Sequence, residues 1–210
     1  MKIADSVGAW RRRLPALILP VAVAAMLPPA LTAADVARTT ITVRVYQTAG
    51  LSSALEQRAL AEAKALLGRA GVDVCWRRCT GGQAAACQPP LGPSELLVRM
   101  IRTGASWQGV SATLGEAHVD RQTGGGVLAT VHVNRVVRLA DEAGTDPGVL
   151  LGRVTAHELG HLLMGEGHSF IGLMRPGWTL AEIRQNRSFD WRFTAADLAA
   201  MRGQGRGVRN

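Results

Sequence analysis

The sequence predicts an α+β domain: strand-like segments with one helix come first, followed by two helices around an irregular stretch. Three observations carry this. "TTITVRVYQ" alternates β-branched and polar residues with a period of two. Leu55, Ala59, Ala63, Leu66 and Leu67 fall on one face of a helix. "VLLGRVTAHELGHLLM" is long, apolar and bounded by capping residues.

In chain order, Thr39 to Gln47 is the first expected strand. Ser53 opens "SALE", read as a capping box with Glu56, and Gly71 stops the helix that follows. Val72 to Arg78 and Glu95 to Arg102 are the next strands, separated by a cysteine loop and "QPPLGP". Leu114 to Asp120 and Gly126 to Val137 follow, joined by the turn "RQTGGG". Asp146 is a good N-cap and Pro147 suits the first helical position, so a helix of about four turns runs on until Gly165 and Gly167 end it. "FTAADLAAM" closes the chain with a helix, Thr194 and Asp197 forming its capping pair.

Ahead of the domain, Arg11, Arg12 and Arg13 precede an apolar stretch from Leu14 to Leu27, and small residues follow. That order is a secretory signal peptide, expected over residues 1–34 with cleavage near Ala33 or Ala34. Pro15, Pro20, Pro28 and Pro29 argue against a membrane anchor, so no stable span remains after processing. Residues 35–210 are expected to form one domain, a secreted or periplasmic monomer. The paired arginines also permit a twin-arginine leader. Too few residues lie between leader and first strand for a folded inhibitory segment.

The formal charge is +8. Lys2, the three arginines and Asp5 leave with the leader, so the rest carries 20 basic against 15 acidic residues, scattered along the chain. Nucleic-acid binding is not expected, because it needs clustered basic residues, interleaved aromatics or a recognisable module. Of three cysteines, Cys79 and Cys87 bracket "CTGGQAAAC", whose small residues need a bridge to order them, and Cys75 is left free. A cysteine zinc knot would need a fourth soft ligand, and no histidine lies nearby.

The chemistry lies in "HELGHLLMGEGHS", residues 157–169. Positions four apart stack on one helical face, so His157 and His161 can aim imidazole nitrogens at one ion about 2.0 to 2.1 Å away. Glu158 beside them is placed to take a proton from a water on that ion, whose pKa zinc lowers toward about 7. With five histidines and eight glutamates in 210 residues, a chance H-E-x-x-H has a probability of roughly 0.005.

That run, followed by "GLMRP", resembles the metzincin zinc endopeptidases, with a matrixin-like order of elements over most of residues 39–203. The resemblance implies a twisted mixed sheet of about five strands, a backing helix, a zinc helix and a C-terminal helix. It implies Zn2+ as cofactor, His157, His161 and His168 as ligands, Glu158 as general base and Met174 as the turn methionine. It also implies a peptide or protein substrate bound as an extended strand along Val127 to Val133. His168 comes one residue later than the family pattern sets. Either Gly165 and Gly167 absorb the extra residue through positive φ angles, or the third ligand is something else, with Glu166 the competitor. His118 and His132 are expected on strands outside the ligand set. The functional expectation is a secreted zinc endopeptidase in which Glu158 activates zinc-bound water. The alternatives are a catalytically silent zinc-binding protein and a basic secreted binding protein.

Overall fold

In the computed structural model the described residues are 38–104, 113–122 and 124–204. The expected leader lies outside them. Five strands form one mixed sheet: β1 (Thr39–Gln47), β2 (Val72–Arg78), β3 (Glu95–Ile101), β4 (Gly115–Val119) and β5 (Gly126–His132). Five helices accompany it: α1 (Ser53–Arg69), α2 (Val133–Ala143), α3 (Pro147–Met164), α4 (Leu180–Gln185) and α5 (Ala195–Gln204). The strand order is β2-β1-β3-β5-β4. All neighbouring pairs are parallel except β4 with β5. No described helix is long and apolar enough to cross a membrane.

Alternation along the strands puts Val43, Val45, Val74, Val98, Met100 and Val131 in one core with Leu67 of α1 and Leu150, Leu151 and Leu159 of α3. α1 and α3 approach closely. A Cβ on Gly152 would lie 2.5 Å from the Ala59 carbonyl oxygen, so only glycine lets the two backbones meet. α3 is buried over most of its length, with Arg153, Thr155, His157 and Glu158 buried alongside its apolar residues, and this fixes the ligand-bearing helix against the sheet.

Four details differ from the sequence expectations. The Gly126 to Val137 strand ends at His132, and Val133 begins α2. The β-branched run conceals a helical period, since Val133, Val136, Ala140 and Ala143 are the buried positions and Gly144 ends the helix with φ 64°. The N-cap of α1 is Ser52, whose hydroxyl accepts from Leu55 N at 3.3 Å. Glu56 is thereby one position too far for a capping box, and its buried carboxylate instead takes Arg78 Nε at 2.7 Å. α4 was not anticipated, although Thr179 and Glu182 form a reciprocal capping box.

The fourth difference bears on function. Val127 to Val133 is not a sheet edge: β5 pairs with β3 on one side and β4 on the other, so its backbone groups are spent in two ladders. The free edge on this side is β4. Ala129, Thr130 and Val131 of this strand are fully buried, while Val127 stays exposed. At the other end of the sheet, the disulfide pairs Cys79 with Cys87, and Cys75 is free and exposed, as expected.

Candidate metal centre

Asp146 caps α3 by accepting from Gly148 N at 2.7 Å and Val149 N at 3.0 Å, which sets where the helix starts and which face carries residues 157 and 161. After Met164 the chain turns through Gly165 at φ 90° and Gly167 at φ 137°, conformations that side chains with a Cβ rarely adopt. This turn takes up the additional residue of the motif. One ligand nitrogen each from His157, His161 and His168 then lie within 4.8 Å of one another. Glu166 points elsewhere: it is exposed and its carboxylate accepts from Arg121 Nε at 3.2 Å.

The hydrogen bonds decide what these imidazoles can hold. His157 Nδ1 lies 2.9 Å from the Leu173 carbonyl oxygen, and His161 Nδ1 lies 3.3 Å from that of Gly165. Carbonyl oxygens only accept, so each Nδ1 carries the proton and each Nε2 keeps a bare lone pair. The two Nε2 atoms are nonetheless 3.1 Å apart. Facing lone pairs at that distance repel unless a cation lies between them, and two nitrogens on one tetrahedral zinc stand roughly 3.3 Å apart. The donor set therefore fits a metal ion.

The floor of the site is the segment after His168. Ser169 N donates to the Met174 carbonyl at 2.9 Å, and Leu173 N donates to that of Arg192 at 2.8 Å. Met174 is fully buried, and Gly160 leaves room for it: a Cβ there would lie 2.7 Å from the Met174 sulfur. The Leu173 carbonyl that orients His157 thus belongs to the same turn that carries Met174. Trp178 completes the wall, its ring edge-on to His157 with centroids 5.7 Å apart. Neither the Leu173 carbonyl nor Trp178 was singled out from sequence. A backbone carbonyl has no residue-type signature, and nothing in the position of Trp178, ten residues after His168, marks it as a neighbour of His157.

Glu158 is buried against β4, with Gly115 beneath it: a Cβ there would lie 2.6 Å from the Glu158 carboxylate. Of the other histidines, His118 is exposed on β4 and His132 is buried, its Nδ1 3.0 Å from the Thr103 hydroxyl.

The five-stranded mixed sheet, the motif helix and the methionine-bearing turn that hydrogen-bonds His157 agree with what the metzincin resemblance implies. The chain has a metzincin-type fold. No narrower, matrixin-specific assignment follows. No protein-family model and no curated protein matches the sequence. Solved structures similar to it include an archaemetzincin from Methanopyrus kandleri, 18% identical with a TM-score of 0.49, covering 82% of this chain and 98% of that one. Another is myroilysin, 12% identical with a TM-score of 0.32, covering 76% of this chain and 70% of that one.

Without metal, the site has a defined proton balance. Burial holds His157 down at about 4, and burial likewise lowers His161, His168 and His132. Burial, with Glu116 second, pushes Glu158 up to about 8. As pH falls through about 8 the folded protein takes up a proton at Glu158 that the unfolded chain does not, so stability rises. As pH falls further through about 6.5, the ordinary histidine value, the unfolded chain protonates His132, His157, His161 and His168 more readily than the folded state does, and stability falls. Chelated protein should therefore be most stable near neutral pH. Urea midpoints at pH 5, 7 and 9 check this; a steady rise in stability from 7 to 9 contradicts it.

Proposed function

We propose that the protein is an exported zinc-dependent endopeptidase. The reading rests on one observation above others, the three imidazole nitrogens within 4.8 Å of one another with Glu158 next in sequence to His157. His157, His161 and His168 would hold the ion. When bound, zinc supplies Lewis acidity, polarising a peptide carbonyl and lowering the pKa of water.

The remaining work belongs to the chain. Glu158, seated against Gly115, accepts the proton of the attacking water and passes it to the departing amine. A nearby dication favours its ionised form, reversing the upward shift that burial imposes. The Leu173 and Gly165 carbonyls keep both helix imidazoles in the tautomer that presents Nε2. The free edge of β4, adjoining Glu158 at Gly115, is where an extended peptide would add as a further strand, in place of Val127 to Val133. The Cys79–Cys87 disulfide supports an oxidising destination.

The test is cleavage of a peptide library by zinc-loaded protein. Internal cleavage that stops with chelator and returns with zinc is expected. Cleavage that chelator leaves untouched, or none by protein carrying one zinc per chain, overturns the reading.

A further inference from the structure

Phe170 is 100% exposed and Ile171 is 70% exposed, two residues that hydrophobicity would bury. They sit between His168 and Met174 on a segment held from both sides. Ser169 N bonds the Met174 carbonyl, the Ser169 hydroxyl donates to Asp197 Oδ1 at 2.5 Å, and Leu173 N bonds the Arg192 carbonyl. Gly172, at φ 80°, lies so close to Arg192 that a Cβ would come within 2.5 Å of its carbonyl oxygen. The segment is therefore anchored on either side of the pair. Their apolar surface is presented on a fixed backbone.

Location says what for. Two residues of chain span at most about 7 Å, so Phe170 starts within that distance of the backbone of His168. An extended peptide advances about 3.3 Å per residue, so side chains within two or three residues of a scissile bond at the metal centre reach this segment. One Phe and one Ile match the area of a single apolar side chain. They are too little for a stable hold on a bilayer, which takes a large apolar helix face or two lipid chains.

Building on the proposed peptidase reading, we infer that Phe170 and Ile171 form a specificity subsite that receives an apolar side chain of the substrate. Preorganisation is what gives it value, since no loop must be ordered when the side chain arrives.

Two tests separate this from the reading beneath it. Zinc-loaded parent and the double variant F170S/I171S are compared on a peptide carrying leucines around its cleavage site and on the same peptide with serines there. The expected result is a rise in KM of about tenfold to a hundredfold for the leucine peptide alone, the size set by losing one buried apolar side chain. Zinc content should stay the same, and F189S, which removes an exposed phenylalanine from another segment, should keep the preference. Binding of the fluorescent leucine peptide to zinc-loaded E158Q, with and without F170S/I171S, gives a readout that needs no turnover. If that binding depends on the pair although the parent cleaves nothing, the subsite stands and the peptidase reading falls. If the double variant keeps the leucine preference and the binding, the subsite is refuted. Its loss of binding to phosphatidylglycerol vesicles in that case would assign the pair to a membrane surface.

Discussion

Glu158→Gln removes turnover while zinc stays bound. The carboxylate is almost fully buried and rests against the Gly115 backbone, where there is no room even for a methyl group. Glutamine fills the same seat with nearly the same shape, so packing survives. What is lost is basicity: an amide cannot accept the proton that water must give up. General-base catalysis contributes about a hundredfold to ten-thousandfold, and kcat should fall by that factor. Zinc content should not change, because the converging donor set is made of His157, His161 and His168 without Glu158. Steady-state kinetics alongside metal analysis of the same preparation checks both halves. A variant as fast as the parent would remove Glu158 from the mechanism.

The placing of Glu158 beside two stacked histidines on one helix was readable from spacing alone, and the reason is instructive about what sequence carries. Positions 157, 158 and 161 are related by helix geometry, and Asp146, Pro147 and Gly165 mark that helix at both ends. The Cys79–Cys87 bridge was legible for the same reason, being local in the chain. Failures came where the deciding partner lies far away. β4 and β5 are neighbours in sequence, but only the ladder from β3, built from residues 97–101, puts β5 inside and leaves β4 at the edge. The passage from β5 into α2 was hidden because Val131, Val133, Val136 and Val137 suit a strand locally, while burial of Val133, Val136, Ala140 and Ala143 along one face favours the helix. Gly115 is an unremarkable strand glycine until Glu158 is seen lying on it. Local signals thus placed the histidines, and long-range packing supplied the surroundings that orient them.

The lengthened motif allows a sharper comparison. His168→Ala should weaken zinc by more than about 100-fold, beyond the 10–100-fold that loss of an orienting partner typically costs, because it removes a donor outright. Glu166→Ala should change affinity less than about threefold. Its carboxylate is engaged with Arg121 in an ion pair whose side chains are 55% and 84% exposed, the kind that contributes little. The geometry behind this asymmetry is the turn at Gly165 and Gly167. Two positive-φ glycines carry the chain around so that residue 166 faces solvent and residue 168 returns to the helix imidazoles. Competition of each variant against a zinc-chelating dye measures the order directly. Greater loss in Glu166→Ala than in His168→Ala would mean that the ion pulls the turn into another arrangement, with a carboxylate as third donor and the additional residue accommodated elsewhere.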